Sequence, residues 1–415
     1  MKLDLNYHKF GKNSLGFLII GLLIGVFITH ELWPAITFTT SDELYPGAPK
    51  YTIWVEGDNY FAKTNNGVVD MSTNFCALVQ KCIDASDSVS ILFGDGVYTA
   101  TKKIILNKHF EFRGHGAGAE MTWIQLCPNF PDDCLFEIKP LPSGGFYQLP
   151  IFERMLLNGQ KGSQTHQVNC FNQLNGSCVD MNFRDLWFES WPGHAINLTC
   201  YGQHRIWNCW FEHFVPQYEA VISDKTTINN SPHYVNVESC YFVETAGYKN
   251  YGAVETVSWT WVDNTFAGGD VTGLDMSKTS LWEVIANTFK GVATGIILNA
   301  ATTLSGEIIG NILATNVSSI SGSVNMSYPT IVQANRGYET ENWNTALASD
   351  NDWIAHGLPK TPDVVIVSVG ASDSLYLCQV IDKNSTHFQI ALYNLSNSSF
   401  ETEGKLINWY AFLRP

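Results

Sequence analysis

Asn264-Thr265-Phe266, Asn287-Thr288-Phe289 and Asn311-Ile312-Leu313 are three copies of one triplet, and Asn335 stands where a fourth would begin. The asparagines are 23, 24 and 24 residues apart. Upstream of Phe266 the aromatic column continues as Phe242, Phe211 and Phe188, at steps of 24, 31 and 23. A unit of about 24 residues with one amide and one large apolar side chain reads as a stacked coil. One coil alone cannot bury its apolar face, but a column of coils can. The unit is too short for a helix pair and too regular for a βαβ series. It suits one turn of a parallel β-helix, with equivalent residues about 4.8 Å apart on successive turns.

Each ladder residue then has an expected job. Asparagine tolerates the left-handed bend between two strands, and its amide can bond the amides above and below. Two residues on, the ring points inward and stacks on its counterparts. Cys209 and Cys240 take the asparagine position in two earlier turns. Adjacent-turn Cα spacing falls in the disulfide window of about 4.4–6.8 Å. A 209–240 bond and two buried thiols are both compatible with that spacing.

Composition narrows the class. The chain has 415 residues, 45% apolar, with thirteen tryptophans, which is ample material for a core. Only 24 Lys and Arg stand against 39 Asp and Glu, and no basic run occurs beyond the N-terminus. Phosphate neutralisation needs clustered cations, so a nucleic-acid partner is excluded from the expectations.

The N-terminus points to export. Lys2, Lys9 and Lys12 precede an apolar stretch from Leu15 to Thr29 with no clear cleavage site after it. Leu32-Trp33-Pro34-Ala35 can extend it into an interfacial belt. We expect a short cytoplasmic N-terminus at 1–13, an uncleaved anchor at 14–33 with its N-terminus inside, and a linker at 34–50. The alternative for 14–33 is a cleaved signal. Eight Asn-x-Ser/Thr sequons, at Asn175, Asn197, Asn229, Asn316, Asn325, Asn384, Asn394 and Asn397, agree with an exported glycoprotein. So do ten cysteines, among which Cys127 with Cys134 and Cys170 with Cys178 are close enough in sequence to be disulfide candidates. No CxxC or Cys/His spacing occurs, and neither a metal nor a cofactor is expected.

Along the exported part, Tyr51–Ala62 alternates like a strand. Residues 73–85 form an amphipathic helix, capped by Ser72 or Thr73, with Phe75, Leu78, Val79, Cys82 and Ile83 on one face. Such a helix is the expected plug for a solenoid end. Strand and turn signals follow at Val89–Phe93, Gly94–Tyr98 and Lys103–Leu106, then Phe112-Arg-Gly-His-Gly-Ala-Gly118 and Thr122-Trp-Ile-Gln-Leu126. A cap helix followed by I-L-F-x-x-G-x-Y, F-R-G-x-G and T-x-I resembles the opening of pectate-lyase-like right-handed β-helix proteins. The resemblance covers about residues 50–340. It implies the fold; the family includes lyases, hydrolases, tailspikes, adhesins and non-catalytic scaffolds. By analogy with tailspikes it allows a homo-oligomer.

The expected domains are a right-handed β-helix at 51–340, a polar linker-like stretch at 338–352, and a small antiparallel, β-sandwich-like module at 345–415. Ala355-His-Gly-Leu-Pro-Lys-Thr-Pro362 and Asn408-Trp-Tyr-Ala in that module resemble C-terminal modules of tail-fibre and surface proteins.

Three sets of residues are candidates for chemistry. Gly114-His115-Gly116 matches a polygalacturonase-type Gly-His-Gly superficially, but the companion Asn-Thr-Asp pattern is missing, so its glycines are read as turn residues. Glu189 and Glu212 each follow a ladder phenylalanine on adjacent coils, so both should point outward about 5 Å apart at Cα. Carboxyls about 5–5.5 Å apart suit a retaining glycosidase, with Asp185 nearby; two solvated glutamates are the bland alternative. A lyase would need more bases than Arg184 and Arg205 supply. Finally, Trp187, Trp191, Trp207 and Trp210 crowd consecutive coils, joined by Tyr241, Trp259 and Trp261. Outward tryptophans could stack on the rings of a surface glycan or polysaccharide; packing under a loop is the alternative.

Overall fold

The computed structural model describes residues 50–413, except for 65–66, 86, 117–120, 143–149, 175–179, 200–201, 225–232, 253–255, 300–305, 314–317, 322–329, 337–340, 359 and 371–375. The anchor or signal segment, Asn175, Asn229, Asn316, Asn325 and Cys178 lie outside these residues. No described helix is long and apolar enough to cross a membrane.

The stretch read as one strand over Tyr51–Ala62 is a hairpin. Lys50–Glu56 turns at Gly57, in the left-handed region at φ 58°, and returns antiparallel as Asn59–Thr64. Alternation continues through a tight turn, so the sequence pattern does not reveal the reversal. Gly67–Ser72 adds a third antiparallel strand. The cap helix spans Phe75–Asp84, and its N-cap is Asn74, whose side chain accepts from the Ala77 N–H at 3.0 Å. Ser72, expected as the cap, instead accepts from the Asn74 N–H. The helix buries Phe75, Leu78, Val79, Cys82 and Ile83 as its spacing predicts.

From Ser88 onward successive coils build two parallel sheets, most coils adding one strand to the smaller sheet and two, on either side of a bend, to the larger. The smaller sheet places nine strands in reverse chain order from Ser318–Ser321 back to Ile104–Leu106, with no strand inserted between neighbours. On the larger sheet each coil bends once. In one coil Trp282–Ile285 leads to a left-handed Ala286, then Asn287, then Thr288–Lys290.

That bend corrects one expectation. The left-handed residue is the one before each ladder asparagine: Asp263, Ala286, Gly310 and Ala334, at φ 54°, 56°, 66° and 55°. The asparagine itself points inward and closes the bend by hydrogen bonding. Its oxygen accepts the backbone N–H of the preceding rung, at 2.9 Å for Asn264 to Asn287, 2.8 Å for Asn287 to Asn311 and 3.0 Å for Asn311 to Asn335. Each amide nitrogen also donates to the next amide oxygen and to a strand carbonyl. The aromatic column stacks as expected. Phe188, Phe211, Phe242, Phe266 and Phe289 have centroids 4.6–4.8 Å apart and planes within 9°.

Cys240 and Cys209 extend the ladder as thiols. The Cys240 N–H donates to Asn264 Oδ1 at 2.9 Å, and the Cys209 N–H points at Cys240 Sγ at 3.4 Å. Sulfur takes the acceptor place of an amide oxygen. No disulfide occurs among the described residues. Cys134 lies next to Cys170 and not against Cys127, because the coil carries Cys127 and Cys134 to different strands. Burial pushes the Cys134, Cys170 and Cys209 thiols up.

The C-terminal module begins earlier than expected. Glu341–Ala348, read as linker, pairs antiparallel with Lys405–Phe412, which pairs with Val364–Val369. Four of its first five residues, Glu341, Asn342, Asn344 and Thr345, are polar and it lies at the sheet edge, so in sequence it looks like linker. A second antiparallel sheet joins Trp353–Ala355, His387–Asn394 and Tyr376–Lys383. Ile354, Phe388, Ile390, Leu392, Ile407, Trp409 and Ala411 form the core the two sheets share.

Candidate functional site

On the outer face of the larger sheet the register brings Glu189 beside Glu212, Phe188 beside Phe211 and Trp187 beside Trp210. The next coil adds Tyr241 beside Trp210. Strand alternation turns the phenylalanines inward and the indoles outward. Trp210 and Tyr241 remain 42% and 41% exposed and stack at 4.8 Å; Trp187 meets Trp210 at 5.9 Å with a 40° tilt. The result is a ridge of rings running along the column axis.

Glu212 is bound into that ridge. Trp187 Nε1 donates to one carboxylate oxygen at 3.0 Å and Trp210 Nε1 to the other at 2.9 Å. Glu189 accepts from Asn158 Nδ2 at 2.7 Å. Asp185 does not join the pair. It occupies the left-handed corner four residues before Glu189, roughly 13 Å away at strand rise, where Asn208 donates to it at 2.6 Å. The strand turns at that corner and separates it from the pair.

The other tryptophans divide. Trp207 is on the surface, with the Arg205 guanidinium 5.3 Å above its ring. Trp191 is fully buried and its indole donates to the Leu157 carbonyl at 3.0 Å, which removes it from any sugar platform. It follows the left-handed Ser190, and that second bend turns it into the core. Trp259 and Trp261 are buried too.

His115 also has a structural setting: its ring meets Asp95 at 3.1 Å. A Cβ added at Gly114 would lie 2.2 Å from the Arg154 carbonyl oxygen, so this glycine serves close packing. Among the described sequons, Asn384 and Asn397 are exposed in turns; Asn197 is half-buried on Ile196–Leu198, and Asn394 is buried against Tyr376 and Glu401. One described cluster, Asp133, Cys134 and Glu137, gathers metal-type donors, but Lys103 reaches Glu137 at 2.7 Å and Asp133 at 3.6 Å.

Two charged clusters carry no signal in the sequence. Glu153, fully buried, meets Arg113 at 3.4 Å, Arg154 at 3.0 Å and Arg184 at a shorter distance. Across the column, Tyr251 donates to both oxygens of Glu219, at 3.0 and 2.9 Å, and His194 Nδ1 lies 3.4 Å from Glu219. The rings of Tyr218 and Tyr251 flank His194, and Lys249 lies over the Tyr251 ring. Burial raises the Glu219 carboxyl and lowers the His194 imidazole to about 4. The residues come from coils 25 and 32 positions apart, without the ladder period, so nothing local marks them.

The His194 shift carries a pH prediction. Between 6.5 and about 4 the unfolded chain takes up a proton that the folded chain refuses. Stability is therefore lost as pH falls through that window, by about 3 kcal/mol at its lower end. Glu219 acts in the opposite sense, since its raised carboxyl favours the folded state at acid pH. We expect His194→Gln to flatten the acid limb of stability, read from denaturant midpoints at pH 7 and pH 4. An unchanged acid limb would refute this.

No family model matches the chain, and no curated protein does. Solved structures match. One is PfbA, a surface adhesin of Streptococcus pneumoniae, at 11% identity over 63% of this chain and 75% of that one, TM-score 0.46. Another is ORF18 of Geobacillus virus E2, at 13% identity over 98% of this chain and 80% of that one, TM-score 0.46. A third is the PL6 family alginate lyase AlyGC, at 13% identity over 70% of this chain and 40% of that one, TM-score 0.41. The chain's own strand pairing, coil on coil in parallel register, makes it a parallel β-helix protein. Within that β-helix, the ridge and its carboxylates are features of this chain's own residues.

Proposed function

We propose that the β-helix is an externally displayed, rigid column that binds a surface glycan along its ring ridge, as an adhesive element or part of an appendage. The observation that carries this reading is the exposed Trp210–Tyr241 pair, continuous with Trp187 and fixed by Glu212. Rings held this way lose little entropy on binding, and their rims and outer faces offer apolar contact beside carboxylate acceptors for sugar hydroxyls. Attachment through the N-terminal segment, glycosylation at the sequons and assembly into a homo-oligomer belong to the same proposal.

A glycan array tests it, comparing wild type with a Trp210→Ala, Tyr241→Ala double variant. We expect loss of about 2 kcal/mol of binding, some thirtyfold, with an unchanged unfolding midpoint. Equal binding by both proteins would sink the proposal.

The shared register of Glu189 and Glu212 favours a second reading, a polysaccharide hydrolase. Against it, both oxygens of Glu212 already accept indole N–H groups. Polymer turnover that disappears in Glu212→Gln would support this reading. A third reading, a purely structural stalk, draws on the rings' stacking on one another.

A further inference from the structure

The ridge has carboxylates on both flanks. Glu189 and Glu212 follow it on one side, and the corner residues Asp185 and Asp263 precede it on the other. Glu244, 59% exposed, lies one residue past Val243, the register partner of Glu212 on the next coil, with His213 Nε2 3.9 Å away. Among the cations of this face, exposed Lys290 stands three coils beyond Glu212 in the same column, and those nearer the ridge have partners. Arg184 is bonded to the buried Glu153 and also lies 3.8 Å from Asp185, and Arg205 pairs with Glu238 at 3.3 Å. Lys161 donates to the carbonyls of His213 and Phe214. Four of the chain's six arginines lie on this face, and each of Arg113, Arg154, Arg184 and Arg205 meets a carboxylate.

We infer that the ridge takes a neutral glycan, one bearing hydroxyls but no carboxylate, sulfate or phosphate, and that it rejects polyuronates. The inference rests on the glycan-binding reading and adds the substrate class. A neutral sugar meets stacked rings and carboxylate acceptors, which suit hydroxyl donors. An acidic sugar meets the same rings beside Glu189, Glu212, Glu244 and Asp263, a surplus of like charge, and like-charge juxtaposition is a strong element of selectivity. The chain's net charge of −15 adds a long-range field of the same sign.

Intrinsic tryptophan fluorescence of the full chain provides the test, with cellohexaose and mannohexaose as neutral probes and hexagalacturonate and hexaguluronate as acidic ones. Each is titrated at about 20 mM and about 500 mM salt, where screening lengths differ severalfold. We expect a neutral probe to bind with little salt dependence. The acidic probes should bind at least about tenfold more weakly at low salt, with the gap narrowing at high salt. Glu244→Lys, an exposed change that leaves the column intact, should narrow the gap at low salt. Tighter binding of an acidic probe at low salt would overturn the inference while leaving the glycan reading standing. An acidic probe unaffected by both salt and Glu244→Lys would also overturn it. If none of the four probes binds while the glycan array is positive, the inference about neutral chains of this kind fails. If the array is negative as well, the glycan reading fails with it.

Discussion

Asn287→Ala should lower stability by about 3–5 kcal/mol, and Asn311→Ala, at an equally buried and equally bonded rung, by as much. Asn287 is fully buried, and its oxygen accepts from both the N–H and the amide nitrogen of Asn264. Its own nitrogen donates to the Trp261 carbonyl, the Ile285 carbonyl and Asn311 Oδ1. Alanine leaves the buried Asn264 N–H without its acceptor and takes one bond each from the Asn264 amide, the Trp261 and Ile285 carbonyls and Asn311 Oδ1. A buried group left unsatisfied costs about 1–3 kcal/mol, reduced where neighbours relax or water enters. Asn335→Ala, at the last described rung, should cost about half as much, because fewer neighbours depend on it. Solenoids open locally, so hydrogen exchange of the Asn264 and Asn311 coils is the appropriate readout beside denaturant midpoints. A loss below about 1 kcal/mol for Asn287→Ala would show that the amides pack without bearing on stability.

Glu153→Ala should cost about 3–5 kcal/mol for a different reason. The carboxylate is fully buried and is shared by Arg113, Arg154 and Arg184 on three consecutive coils. Its removal takes the shared carboxylate from three neighbouring guanidinium groups, leaving Glu111 beside Arg113 and the more distant Asp185 beside Arg184, with like charges at close range and partly out of water. Breaking one side of a buried charge cluster is far more damaging than replacing the whole cluster. Glu153→Gln, which keeps shape and one acceptor, should fall between the two. Arg205→Ala provides the contrast, since Arg205 and Glu238 are each about a third exposed and such pairs contribute about 0–1 kcal/mol. Denaturant midpoints for the three variants should therefore rank Glu153→Ala lowest and Arg205→Ala close to wild type. Equal midpoints for Glu153→Ala and Arg205→Ala would refute the cluster's role.

How much was legible in the residues follows from the range over which each signal acts. The ladder positions, the aromatic column and the Glu189–Glu212 register all derive from one period repeated down the chain, each copy reinforcing the others, and the cap helix face follows from its own spacing of three and four residues. The misreadings occur where the period has no say. The Tyr51–Ala62 hairpin keeps strand alternation through its turn. The edge strand Glu341–Ala348 is polar enough to resemble a linker. The left-handed bend falls one residue before the asparagine, because the amide must face inward to reach the next rung. Trp191 lies only four residues past Trp187, yet a second bend at Ser190 turns it into the core.

The sequence by itself determined a stacked parallel column, which side chains face in or out, and which residues of adjacent coils are neighbours. Those follow from a spacing of about 24 residues and the two-residue alternation of strands. Only the tertiary structure decided what those neighbours do. It places both oxygens of Glu212 on indole N–H groups, joins three arginines to Glu153, and closes Tyr251 on Glu219 beside His194. These are choices among side-chain rotamers and loop paths of unequal length, and the 31-residue steps beside the 23-residue ones shift partners in ways no local pattern encodes. Charge balance at the ridge, and with it the kind of glycan the column can accept, therefore emerges only once the coils are stacked.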